Sequence, residues 1–71
     1  MDRIRVSSSN VASVGYDEST STLEVEFHNG GIYQYFGVPV QHFVNLTNGI
    51  GSVGEYLGQY VKGSYRYRKI G

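Results

Sequence analysis

Apolar and polar residues alternate without a break from Thr22 to His28, "TLEVEFH". Leu23, Val25 and Phe27 then share one face and Glu24, Glu26 and His28 the other, which is the period of a half-buried β-strand. "NGG", Asn29 to Gly31, offers the conformational freedom of a hairpin loop, and "IYQYFGV" offers aromatic and branched residues for a partner strand. Upstream, "NVASVGY" reads as an earlier strand, joined to the first by the polar loop "DESTST". These segments predict a three-stranded antiparallel meander. "RIRV" near the start also alternates, and reads as a short edge strand or an ordered arm.

Register decides where Tyr33 and Tyr35 point, because a slip of one residue turns every side chain to the other face. A two-residue loop at Asn29 and Gly30 sets Gln34 on the Phe27 face and buries an amide. A three-residue loop, with Gly31 in the left-handed bulge position, sets Tyr33 and Tyr35 beside Phe27 and Val25 and turns Gln34 outward with the glutamates. The second is favoured, since an amide buried without partners is costly.

At "VPVQHFVNLTNG" the period lengthens. Pro39 suits a first helical position, Val40, Phe43, Val44 and Thr47 recur at helical spacing, and Asn48-Gly49 is a stop. A second helix starts at Ser52, where "SVGE" forms a capping box with Glu55. Val53, Tyr56, Leu57, Tyr60 and Val61 make an apolar stripe, and Lys62-Gly63 ends it. Gly58 costs about 1 kcal/mol inside a helix, which suggests that Gly54 and Gly58 admit another backbone closely. "SYRYRKI" alternates again as a final extended segment or strand.

The result is an α+β domain: a three-stranded antiparallel β-meander followed by two α-helices packed on one face, with an extended C-terminal segment. The expected core is Val14, Leu23, Val25, Phe27, Tyr33, Tyr35, Phe43, Val44, Val53, Tyr56, Leu57, Tyr60 and Val61. A chain of 71 residues makes one small domain. With no cysteine it has neither disulfides nor a thiolate zinc site to supplement that core.

Six Lys and Arg balance six Asp and Glu, which argues against binding of nucleic acid or membrane by bulk charge. The charge is polarised all the same. Asp17, Glu18, Glu24 and Glu26 lie in the first half, whereas Lys62, Arg66, Arg68 and Lys69 crowd the end. No segment reads as a signal peptide or as the roughly 20 apolar residues of a membrane span, so a cytoplasmic protein is expected.

Several apparent motifs dissolve on inspection. "GIGSVG", Gly49 to Gly54, has the glycine spacing of dinucleotide loops, but it joins two helices and no βαβ unit surrounds it. Glu24, Glu26 and His28 line one strand face, where side chains about 7 Å apart splay rather than converge on a metal. They read as a solvated outer face. His42 has no nucleophile beside it and reads as exposed, and Ser7 to Ser9 read as a turn. No catalytic constellation, metal site or cofactor site emerges, which points away from an enzyme.

In order along the chain, "SSNV", "VGYD", "LEVEFHNGGIYQYFGVP" with its YxY at Tyr33 and Tyr35, "SVGEYL" and "KGSYRY" resemble the KTSC domain family. That family is named for its place at the C-terminus of some lysyl-tRNA synthetases and also occurs as a free-standing small bacterial protein. The resemblance implies one KTSC-like domain over residues 1–71, of small α+β type, with RNA binding as a suggested role.

The residues give that role a mechanism. In "KGSYRYRKI" cations neutralise phosphates while interleaved rings offer stacking faces to unpaired bases. Tyr33 and Tyr35 would add a second platform on the sheet. The candidate nucleic-acid-binding residues are therefore Tyr33, Tyr35, Lys62, Tyr65, Arg66, Tyr67, Arg68 and Lys69. The plainer reading is that Tyr65 and Tyr67 pack on the sheet while Arg66 and Arg68 face water or pair with Glu24 and Glu26. The alternative function is a protein-interaction or self-association module that uses the sheet edge or the aromatic face.

Overall fold

The computed structural model describes residues 1–71. Five strands form one antiparallel sheet in chain order: β1 (Arg3–Arg5), β2 (Val11–Asp17), β3 (Thr22–Phe27), β4 (Ile32–Tyr35) and β5 (Tyr67–Lys69). The expected meander is thus its centre, β2 to β4, widened by one short strand at each edge. Between β4 and β5 lie α1 (Val40–Thr47) and α2 (Val53–Tyr56), the latter running directly into a π-helical turn at Leu57–Val61.

Opposite residues on β3 and β4 are Leu23 and Tyr35, Glu24 and Gln34, Val25 and Tyr33, and Glu26 and Ile32. The tyrosines therefore share the Val25 face and Gln34 joins the glutamates, as the three-residue loop requires. The left-handed residue is Gly30 (φ 96°), however, not Gly31. Gly30 donates its amide to the Phe27 carbonyl at 2.9 Å and Phe27 donates to the Gly31 carbonyl at 2.8 Å. The turn closes one residue earlier than expected, so Tyr33 and Tyr35 lie opposite Val25 and Leu23.

One buried cluster joins the sheet to the helices: Val11, Val14, Leu23, Val25 and Tyr35 with Val38, Leu46, Val53, Leu57 and Val61. Val11, Val38 and Leu46 were not among the expected core residues. Phe27, Tyr33, Phe43 and Tyr56 are half-buried at its rim, while Val44 and Tyr60 are exposed. In α1 the reason is a rotation of the apolar face. The ring of Phe43 stacks on Tyr16 at 5.7 Å, which turns Leu46 inward and leaves Val40 and Val44 in solvent.

The second helix starts as expected, with the Ser52 hydroxyl accepting from the Glu55 amide at 3.2 Å. It then widens, and the Lys62 amide donates to the Leu57 carbonyl five residues back at 2.8 Å. Val53, Leu57 and Val61 are four apart, and in a regular α-helix each such step drifts by about 40° around the axis. The wider turn winds less per residue and returns Val61 to the buried line, at the expense of Tyr60. Neither glycine admits a neighbouring backbone: a Cβ on Gly54 would touch only the Asn10 side chain at 3.4 Å, and one on Gly58 would meet nothing within 4 Å. Gly58→Ala is accordingly expected to stabilise the fold by about 0.5–1 kcal/mol through the unfolded chain's lost freedom, measurable by urea denaturation. A loss of stability would show that the π turn itself demands glycine.

The outer face of the sheet is not solvated as expected. Glu24 is buried there with Ser13 and Thr22. Arg3 reaches over Gly15 to form an ion pair with the Glu24 carboxylate and donates from Nε to the Ser13 hydroxyl at 3.0 Å. Gln34 Nε2 donates to Glu24 Oε1 at 2.9 Å, and the Ser13 hydroxyl donates to Glu26 Oε1 at 2.9 Å. No buried side-chain nitrogen or oxygen lacks a partner. No helix is long and apolar enough to cross a membrane.

Candidate functional site

Alternation sends every second residue of β3, β4 and β5 to the inner face, where the helices cover only part of the sheet. Beyond their reach Phe27, Tyr33, Tyr35 and Tyr67 line an open cleft of about 430 Å³. Tyr33 meets Phe27 edge-on at 5.7 Å between ring centroids, and Tyr67 sits 6.0 Å from Tyr33 and 5.8 Å from Tyr35. The two tyrosines of the YxY pattern part company here. Tyr35, 3% exposed, is the floor and belongs to the core, whereas Tyr33 is half-buried and Tyr67 is 63% exposed. Burial, then the neighbouring Tyr33 and Tyr67 phenols, raises the Tyr35 pKa above its ordinary value of 10.0.

Lys62 closes one end of the cleft, its Nζ 4.8 Å from the Phe27 ring centroid. A cation over a ring face is favourable by about 0.5–1 kcal/mol at exposed sites. The π turn is what delivers this lysine, since the i→i−5 bond ends the helix with Lys62 at the cleft and Gly63 (φ 84°) turns the chain away. Asn29 also lines the cleft, its Oδ1 accepting from the Gly31 amide at 2.9 Å.

Of the eight sequence candidates, the structure brings Tyr33, Tyr35, Lys62 and Tyr67 into this cleft and sets Lys69 in an adjoining concavity that shares Tyr33. The other three stand apart. Arg68 lies opposite Gln34 on the other face of the sheet, and Arg66 precedes β5, its carbonyl accepting from Phe36 at 2.9 Å. Tyr65 belongs to a different cluster, where its hydroxyl lies 3.4 Å from His42 Nε2. There His42, half-buried rather than exposed, has Nδ1 at 2.7 Å from the Tyr56 hydroxyl, which also accepts from Asn45 Nδ2 at 2.8 Å. These groups satisfy one another and pin α1 to the second helix. Phe27 and Asn29 were missed as lining residues, although Phe27 ends β3 at the hairpin turn and Asn29 lies within that turn.

Two cations without ion pairs, Lys62 and Lys69, lie at the cleft and the concavity beside it. All ion pairs involve Arg3, which occupies Glu24 and lies 3.7 Å from Glu26. Lys62, Arg66, Arg68 and Lys69 are left without carboxylates, so a chain of zero net charge carries a basic edge. The outer-face carboxylates make no metal site either: Arg3, Ser13 and Gln34 hold the glutamates, and His28 Nε2 bonds the Ser8 carbonyl at 2.9 Å.

The KTSC domain model matches residues 7–65. The chain belongs to the KTSC domain family. The match takes in β2 to β4 and both helices and stops short of β1 and β5. A crystal structure of a KTSC domain protein from Yersinia pestis superposes with a TM-score of 0.91 at 40% identity, over 99% of this chain and 97% of that one. An uncharacterized protein of Stutzerimonas stutzeri is 38% identical over 71 residues, 99% of both chains. The lysine–tRNA ligase of Trichormus variabilis is 36% identical over 55 residues, 78% of this chain. The match spans only 10% of that ligase's length.

Proposed function

We propose that this KTSC domain is a non-enzymatic binding module for unpaired nucleic acid, RNA first, which seats a base in the aromatic cleft. The observation that carries the reading is the convergence of Tyr33, Tyr67 and Phe27 with Lys62 in one open cleft that no side chain of the protein fills. Every base has a π face, so stacking on such rings tolerates any sequence, and each stack contributes about 1–3 kcal/mol. Lys62 and Lys69 stand on either side of Tyr33, placed for the phosphates that flank a seated base. The name of the lysine–tRNA ligases, which contain a related segment, makes an RNA their substrate. Self-association through a sheet edge is less well supported: β1 presents Arg5, and β5 presents Arg68 and Lys69, none of them in an ion pair, so edges of like charge would meet.

The test is fluorescence anisotropy with a labelled, mixed-sequence single-stranded RNA at low and moderate salt. Binding should weaken as salt rises, and Tyr67→Ala, at an exposed position that the core does not need, should reduce affinity roughly tenfold. Absence of binding at low salt sinks the reading, and so does an unchanged affinity in Tyr67→Ala. A partner retained at high salt would point instead to protein association.

A further inference from the structure

We infer that Arg66 and Arg68 form a second contact surface on the outer face of the sheet, so that a single-stranded nucleic acid leaving the aromatic cleft wraps the β5 edge and is held there by its phosphates. This rests on the nucleic-acid reading above. The β4–β5 ladder extends one step beyond each strand: the Phe36 amide donates to the Arg66 carbonyl at 2.9 Å, and the Ile70 amide to the Ile32 carbonyl at 2.8 Å. With Gln34 opposite Arg68, this register sets both arginines on the outer face and Tyr67 between them on the inner one. Both are exposed and neither is in an ion pair. Glu24, one strand beyond Gln34, is taken by Arg3. Two positions apart on a strand, Arg66 and Arg68 are spaced by about 7 Å, similar to successive phosphates of an extended single strand. Each guanidinium fork can take a phosphate through two parallel bonds. Phe36, exposed opposite Arg66, adds an aromatic ring to the same face.

The two faces meet at the edge. No strand lies beyond β5, so a chain that passes Tyr67 crosses one strand's width, about 5 Å, to reach the arginines. Arg66 and Ile70 turn their bonding groups toward β4, so the amides of Tyr67 and Lys69 face away from it and offer donors along the crossing.

The slope of log affinity against log salt counts the phosphates a protein neutralises, at about 0.7 for each phosphate of a single strand. In anisotropy titrations with the labelled mixed-sequence RNA, Arg66→Ala and Arg68→Ala are each expected to make that slope shallower by about 0.7. Tyr67→Ala weakens binding at every salt concentration and leaves the slope in place. Arg5→Ala is the control, since it removes an exposed cation at the opposite edge of the sheet, and its slope should stay native. A native slope in either Arg66→Ala or Arg68→Ala, or an equal loss in Arg5→Ala, overturns the inference while the nucleic-acid reading stands. Absence of binding by the native protein at low salt overturns the reading itself, and the inference with it.

Discussion

Gly15→Val is expected to lower the stability by about 2–3 kcal/mol and to free β1 from the sheet, the cost of forcing atoms into a filled space. Gly15 adopts an ordinary extended backbone, so its glycine is a matter of room rather than of φ. A Cβ there would stand 2.6 Å from the Asp2 carbonyl oxygen, 3.0 Å from Arg3 Cγ and 3.2 Å from Met1 Cγ. The last two atoms belong to flexible side chains and can give way. The first is backbone, so the whole of β1 must lift. Valine favours strands, and if β1 were a dispensable arm the substitution would leave stability unchanged or raise it. Urea denaturation gives the sign, and hydrogen exchange at Val6, whose amide donates to Ala12 at 3.1 Å, reports whether β1 has left.

The same geometry explains how far the sequence could be read. The central hairpin was legible because its signals are local: unbroken alternation, a glycine turn, and an amide that would be costly to bury. Even so, the left-handed residue lay one position away, since "NGG" offers two adjacent glycines and local sequence does not choose between them. The face of α1 was missed because Val40, Phe43, Val44 and Thr47 and the alternative set His42, Phe43 and Leu46 both have helical spacing. Only the stacking of Phe43 on Tyr16, which is 27 positions away in the chain, decides between them. The π turn left no local mark beyond Gly58. The cleft was half legible: Tyr33, Tyr35, Lys62 and Tyr67 stood out as aromatic and basic residues, and the alternation of "SYRYRKI" parts Tyr67 from Arg68, but nothing there says that the segment pairs with β4 or that Lys62 is carried to Phe27. Glu24 looked solvated for a similar reason, because its partner Arg3 is 21 residues away.

That pairing carries the second large effect. Arg3→Ala is expected to cost about 2–3 kcal/mol, somewhat less than the ~3–5 kcal/mol of breaking a fully buried pair. The discount follows from exposure: the Glu24 side chain is 6% accessible but that of Arg3 is 26%, so water already screens the guanidinium. What remains in the variant is a nearly buried carboxylate with only the Gln34 amide to hold it. Glu24→Gln should therefore change sign with its background. In the native protein it removes the acceptor charge that Arg3 needs and destabilises; in Arg3→Ala it removes an unmatched charge, keeps an acceptor for Gln34 and restores stability. A double-mutant cycle by denaturation measures both, and the same sign in both backgrounds would mean that the pair is incidental to β1. On the outer face Arg68 lies opposite Gln34, which lies opposite Glu24, so a carboxylate that Arg3 releases has another cation on its own face of the sheet. By holding Glu24 on the outer face, Arg3 occupies the one buried carboxylate of the sheet and leaves Arg68 on that face without an acidic partner.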